Sequence, residues 1–477
     1  MKNETNDALR QAKDSQQDTS RPDVVTRVHS GNKLTARERV DLLLDPDSAV
    51  EYGSIAAKSR DGEWIAEAGG VDFVGTIDSQ PVIASSTDYT DHGGGYGAGR
   101  LGRLFGLAYE QRWPVVMFVD GGGSRARHPR AGLGHIETSG PIGRFSFLDG
   151  VPELSGWAPV VAIVSGPSFA GHASLAGFSD FLISTPGSAI GMGGPPMVEA
   201  SLGHRLKANE LAGSEMHEVG GGIDLLVADE RDAIAAARRF LSYYREDDAR
   251  ATDTRPGANL DNITHDAEDR YDMHEVIQAL ADPGSVFELR PQFARSLITA
   301  LARIDGRTIG VMANQPLVDD GVIDQNAATK ISRFVELCNT YEYPMLSLID
   351  TPGCISRWQL KGQDPGVDPL LTRWHARPLI AHQQRTVPLI SVQLRRGRGL
   401  GAALMTGVSS TRGVPALRLG WPTAEIGHRD GFSAVVDHNA FDDIVAPGQT
   451  RHRIERMLRL FRRKLDRPQK KHHIDSW

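Results

Sequence analysis

The chain repeats itself. Around Asp78 it reads GTIDSQPVIASSTDYT, then a glycine-rich turn, a helical RLGRLFGLAYEQR and an apolar WPVVMFVDGGG. Around Asp305 it reads ARIDGRTIGVMANQP, a turn, a helical NAATKISRFVELCNTY and EYPMLSLIDTPG. Asp78 pairs with Asp305, Pro114 with Pro344, Asp120 with Asp350, Pro159 with Pro388 and Gly171 with Gly401, at offsets of 227 to 230 residues. Five anchors in one register mean two copies of one unit, and 477 residues are enough for two cores. The polar stretch REDDARATDTRPGANLDNITHDAEDR lies between the copies, as a domain boundary should. The expected organisation is a loose tail over 1–22, a first domain over 23–250, a linker over 251–270 and a second domain over 271–477. Each copy runs strand, strand, helix, strand, then a small-residue turn into a helix. That is α/β, with two adjacent strands ahead of each helix rather than strict βαβ alternation.

Composition narrows the class. A net charge of −7 argues against wholesale nucleic-acid binding, and the basic end RHRIERMLRLFRRKLDRPQKKHH reads as a solvated helix with a basic tail. Two cysteines, Cys338 and Cys354, make neither a disulfide framework nor a four-thiolate zinc site. The opening MKNETNDALRQAKDSQQ lacks an apolar core, and no apolar run approaches the ~20 residues that span a bilayer. The expectation is a cytoplasmic protein with no metal site and no membrane or nucleic-acid partner. KLTARERVDLLLDP carries its own punctuation, with a capping box from Thr35 to Glu38 and Pro46 closing the helix.

The chemistry is sought where side chains have been stripped away. After the apolar APVVAIV comes SGPSFAGHASLAG, in which Gly, Ala and Ser surround His172. A turn of small residues after a buried strand can aim backbone N–H groups at an oxyanion from a helix N-terminus. Ala170 and Gly171 stand there in the first copy, Leu400 and Gly401 in the second. Close helix–strand packing is the competing reading for each turn taken alone. Gly97 to Gly102 matches GxGxxG, but the second copy keeps the architecture without those glycines, so a loop that lets backbone approach closely is preferred to a dinucleotide fingerprint. His172 is either a base or a structural hydrogen-bonder, and no Ser–His–Asp triad assembles around it.

These residues resemble the carboxyltransferase (beta) subunit of biotin-dependent acyl-CoA carboxylases, the group that includes propionyl-CoA carboxylase. KLTARERVDLLLD, DGGGSR, AGHAS, SDFLIS, ANQP, RFVELC, DTPG and WPTAEI carry the likeness, which runs from about residue 23 to 460. The resemblance implies two tandem crotonase-like domains built of ββα spiral units. It also implies a homo-hexamer, or at least a dimer, with acyl-CoA held by the first domain and carboxybiotin by the second. Ala170 and Gly171 would hold the thioester oxygen, Leu400 and Gly401 the biotin oxygen. Gly122, Gly123, Arg125, His172 and Gly194 become candidates for binding substrate; Gly353, Arg398, Gly399 and Ala402 become candidates for binding biotin. Biotin's own anion can take the α-proton, which accounts for the missing triad. No Met-Lys-Met biotinylation site occurs, so a separate biotin carboxylase/carrier partner is implied.

The second copy departs from the family pattern. Arg398 stands where an aromatic is usual and Leu400 at a glycine position, while Arg396, Arg398 and Arg429 place charge where a neutral ring is expected. Two alternatives to carboxyl transfer follow. One is a biotin-independent crotonase-type enzyme, a thioester decarboxylase or acyl-transfer catalyst. The other is a non-catalytic assembly partner.

Overall fold

The computed structural model describes residues 2–54, 57–60, 63–66, 69–91, 93–95, 98–122, 149–245, 260, 270–355, 371–407, 415–425, 440–472 and 474. The chain divides into two compact units, one ending at Ser242 and the other beginning at Tyr243. Tyr243 belongs with the second because its hydroxyl donates to the Ser285 carbonyl and its ring stacks on Phe287 at 6.2 Å.

The first unit's strands are β1 (Val50–Tyr52), β2 (Ala57–Arg60), β3 (Glu63–Ala66), β4 (Gly70–Ile77), β5 (Gln80–Thr87), β6 (Val115–Phe118), β7 (Val160–Val164), β8 (Pro167–Phe169), β9 (Phe181–Ser184), β10 (Ala189–Gly191) and β11 (Leu225–Leu226). Its main sheet has the order β1-β4-β5-β6-β7-β9-β11, with β2–β3 and β8–β10 as small separate pairs. The second unit has β12 (Phe287–Leu289), β13 (Leu297–Ile304), β14 (Arg307–Asn314), β15 (Met345–Thr351), β16 (Leu389–Gly397), β17 (Pro415–Gly420) and β18 (Asp443–Ile444), paired in that sequence. In both sheets the first two pairings are antiparallel and the rest parallel. The parallel strands are continuous apolar runs buried on both faces, VVMF and VVAIV in the first sheet.

The duplication holds bond by bond. The β4–β5 turn places Asp78 and Ser79 at φ 47° and 67°, and the β13–β14 turn places Asp305 and Gly306 at 56° and 72°, the left-handed pair a two-residue hairpin needs. Asp45 accepts from the Asp78 and Ser79 amides, and Asp282 from those of Asp305 and Gly306. An arginine closes each clamp: Arg238 donates to Leu43 O and Asp45, and Arg451 to Leu280 O and Asp282. Four amides donating where Pro carbonyls enter the sheet repeat likewise: Ile83 to Pro114 and Gly310 to Pro344, Val115 to Pro159 and Met345 to Pro388.

Two expectations are corrected. Residues 2–14 of the supposed loose tail form the helix Lys2–Asp14, and the chain after it is anchored by Arg21, whose guanidinium meets Asp88 at 2.7 Å. The basic C-terminal segment is not a solvated tail. Arg463 donates to the carbonyls of Tyr243, Tyr244, Arg245 and Tyr341, Arg467 to Thr340 O and Lys471 to Asn339 O. Its cations thus cover the carboxyl end of the helix Gln325–Thr340, whose last carbonyls lack partners within the helix. The capping box forms as expected, with Thr35 accepting from the Glu38 amide and Glu38 from that of Thr35.

Candidate functional site

In the first unit, β7 leads through β8 into the eight-residue helix Gly171–Phe178. The corner is sharp: Ala170 sits at φ 55°, ψ −119°, a conformation that costs a side-chain-bearing residue on the order of 1–3 kcal/mol. Its N–H is committed to the Gly191 carbonyl at 3.1 Å, which removes Ala170 as an oxyanion donor. The first N–H of the helix, that of Gly171, meets no acceptor among the described residues; the helical ladder begins with Ser174 donating to Ala170 O.

His172 is placed as scaffold. Its ring is buried, Nε2–H donates to Gly94 O at 2.9 Å, and burial holds its pKa below the ordinary value, so the ring is neutral at pH 7. The ring lies on the backbone of Gly121, where a Cβ would stand 2.3 Å from it. Gly94, at φ 77°, has its own absent Cβ 2.5 Å from Asp120 O. Gly94 and Gly121 therefore allow three backbone segments to meet at the corner. The GxGxxG match itself is not the expected loop: Gly97 lies outside the described residues, and Ala98 to Gly102 open the helix Ala98–Gln111. Asp120, with the spacing of a dinucleotide-binding acid, is buried beneath them. It accepts from Ser165 N and Gly166 N at 2.8 Å and pairs with Arg39 at 2.8 Å; these contacts outweigh the burial that alone would raise its pKa, and hold it low. Gly122 donates to Gly93 O, and Gly194 caps the helix Pro195–Leu202. Gly123 and Arg125 lie outside the described residues.

The second unit repeats the corner. The strand β16 ends at Gly397, Arg398 N donates to Thr351 O, and the helix Gly399–Thr406 begins with Gly399 at φ 55°. Ala170 and Gly399 share the positive φ and are 229 residues apart, the same offset as Pro159 and Pro388. The equivalent of Gly171 is therefore Leu400, and that of His172 is Gly401, one residue from the alignment the sequence suggested. The Leu400 and Gly401 N–H groups meet no acceptor among the described residues. Gly401 is packed so closely that a Cβ would lie 2.7 Å from Gly353 Cα. Gly353, at φ 119°, donates its N–H to Thr351 Oγ1, and Ala402 donates to Arg398 O, so both shape the corner without offering a donor.

The charge expected in this pocket is already neutralised. Arg396 Nε binds Asp350 at 2.8 Å, Arg395 binds the same carboxylate, and Arg398 meets Glu425 at 2.9 Å. Arg429 lies outside the described residues. Asp350 is the counterpart of Asp120, but it is satisfied by two arginines and the Tyr271 hydroxyl instead of amides. Among the described residues no group of three His, Cys, Asp or Glu could hold a metal ion, and no described helix is long and apolar enough to cross a membrane.

The model of the carboxyl transferase domain matches residues 27–435. The chain belongs to the carboxyl transferase family. This carboxyl transferase is 30% identical to the methylmalonyl-CoA carboxyltransferase 12S subunit of Propionibacterium freudenreichii subsp. shermanii, over 94% of this chain and 92% of that one. It is 28% identical to the propionyl-CoA carboxylase beta chain of Roseobacter denitrificans, over 93% and 94%. Among solved structures it is similar to a single-chain, multi-domain long-chain acyl-CoA carboxylase, with TM-score 0.83 and 31% identity over 94% of this chain and 48% of that one. It is also similar to the transcarboxylase 12S subunit, with TM-score 0.81 and 28% identity over 94% of both chains. The fold is accordingly α/β of the crotonase-like carboxyltransferase type, and the protein is an enzyme of the transferase kind.

Of the four donors that the sequence suggested, Ala170 is the one the structure commits elsewhere, to Gly191 O. The signal that corrects the register between the corners is the positive φ shared by Ala170 and Gly399, which a residue alignment of two divergent turns does not carry.

Proposed function

We propose that this carboxyl transferase moves a carboxyl group between biotin borne by a partner protein and the α-carbon of an acyl-CoA thioester. The observation that supports it is one corner in each copy, entered through a residue at positive φ, at which the N–H groups of Gly171 in the first and of Leu400 and Gly401 in the second meet no acceptor among the described residues. Acyl-CoA carboxyltransferase activity agrees with the family and with the named relatives. The first corner, at the Gly171 N–H, takes the thioester oxygen as the α-carbon loses its proton and negative charge develops. The second corner, at Leu400 and Gly401, suits the oxygen of a neutral ureido ring, because the neighbouring arginines are matched by Asp350 and Glu425. When bound, biotin supplies the nitrogen that carries the carboxyl group. Each backbone corner contributes about 3–4 kcal/mol to stabilising such oxygens. Neither corner needs an acidic or basic side chain, which fits the burial and scaffold role of His172. Assembly with further copies belongs to the same proposal, since the solved 12S structure is described as a hexamer.

The test is Gly401→Ala, assayed by carboxyl transfer from a 2-carboxyacyl-CoA to free biotin. The new methyl meets Gly353 backbone at 2.7 Å, so the corner must open. Transfer should fall about 100-fold while CoA-thioester binding, measured by calorimetry, persists. Undiminished transfer in a folded variant would refute the assignment. Carboxyl release at equal rate without biotin would favour the decarboxylase reading, for which the 29% identity to methylmalonyl-CoA decarboxylase subunit alpha of Veillonella parvula is the supporting observation.

A further inference from the structure

The two corners share a backbone but are dressed differently. In the first, the two leading positions are Gly171 and His172, and the imidazole is turned inward onto Gly121 and Gly94. No side chain of those two residues flanks the direction in which their amides point. In the second, the leading positions are Gly399, Leu400 and Gly401. Gly399 has no side chain, and Gly401 has no room for one against Gly353. Leu400 alone carries one, and it is 44% exposed, although apolar side chains of this helix such as Leu404 and Met405 are buried.

Helical geometry fixes where that group stands. Every Cα–Cβ bond in an α-helix leans toward the N-terminus, and in the first turn the N–H groups point the same way. The Leu400 isobutyl group therefore stands beside the spot that the Leu400 and Gly401 amides address. An oxygen received there has an apolar wall at its flank, and the nearby cations offer no compensating charge, being paired with Asp350 and Glu425. Small hydrated anions lose water at such a wall and gain nothing from it. A ligand whose oxygen sits on an apolar ring gains contact.

We infer that Leu400 is the specificity-determining side chain of the second corner, packing against the face of the ureido ring that presents its oxygen to the amides. This rests on the carboxyl-transfer reading above. It assigns to Leu400 a contact that its counterpart Gly171 cannot make.

The experiment is calorimetric titration of the full chain with free biotin, in wild type, Leu400→Ala, Leu400→Gly and Leu400→Met, each also titrated with an acyl-CoA. Removing the isobutyl contact should raise the Kd for biotin roughly 5- to 20-fold in the alanine and glycine variants. Leu400→Met, which keeps apolar bulk, should stay within about threefold of wild type. Acyl-CoA affinity should be the same in all four, and serves as the check on folding. Equal biotin affinity in wild type and Leu400→Ala would overturn this inference and leave the carboxyl-transfer reading standing. Wild type that binds acyl-CoA but no biotin would overturn both.

Discussion

Gly121 is a glycine because of one imidazole. Gly121→Ala places a methyl carbon 2.3 Å from Cε1 and Nε2 of His172, so more than 1 Å must be found to restore ordinary contact. The ring cannot swing aside, because it is buried and its Nε2–H is held by Gly94 O. Overpacking of this kind costs about 1–3 kcal/mol. His172→Ala alone loses the ring's packing and its hydrogen bond and leaves a void, about 2–4 kcal/mol. In the double variant the void receives the methyl, so the two costs do not add. The combined loss should fall short of their sum by about 1–3 kcal/mol. The assay is amide hydrogen exchange across 160–184, which reports the local opening of β7, the corner and the helix after it. Strictly additive costs would mean that Gly121 is required for some reason other than the imidazole, and the account of His172 as the keystone of the corner would be withdrawn.

Removing the C-terminal strap is expected to show its structural nature: Arg463→Ala leaves four carbonyls short of a donor and should destabilise the second unit by about 2–3 kcal/mol, read as a shift in its urea midpoint, while salt should restore little of it. His274 lies between Glu288 and Asp272, whose hydrogen bonds raise its pKa to about 9. A folded pKa above the unfolded value gives stability that is complete below about pH 6.5 and is lost as pH rises through 9. Half-exposed as the ring is, the effect should be no more than about 1 kcal/mol, and Glu288→Gln should flatten the pH profile of unfolding across that window.

Much of the fold was legible because the chain wrote it twice. The apolar strands, the Asp78 and Asp305 turns and the capping box at Thr35 are local signals, and local geometry obeyed them. The Asp45 and Asp282 clamps were not found, though LDPD and LADPG stand before β4 and β13 at equivalent places. Their meaning lies in amides about 23 to 34 residues further along the chain. Lys330 was equally opaque. It is 1% exposed and donates to the carbonyls of Arg290, Phe293 and Leu297, a tie to three carbonyls that no helical periodicity announces. The C-terminal strap misled for the opposite reason. A basic run looks solvated when the carbonyls it serves are more than a hundred residues away. At the candidate site, side-chain stripping pointed to the two corners, but the commitment of the Ala170 amide depended on a φ angle and on β10, neither readable from Gly and Ala alone.

The buried acids bear on the proposal that the backbone carries the chemistry. Asp120 and Asp350 occupy the same place in the two copies, yet one is satisfied by amides and Arg39, the other by Arg395, Arg396 and Tyr271. What both arrangements share is that each carboxylate ends matched by its own partners, beneath the corner. A cation required to touch ligand would have been left unpaired at the mouth of both corners. Instead, Arg396 and Arg398 are paired in the second, and Arg39 is buried in the first. Among the described residues at equivalent positions of the two corners, the groups suited to the proposed oxyanion role are main-chain N–H groups, whose direction is fixed by the helix and whose strength needs no protonation step. On the proposed reading, duplicating the unit duplicates the capacity to hold an oxyanion, and the divergence of a neighbouring side chain, Leu400 against Gly171, distinguishes the ligands of the two copies.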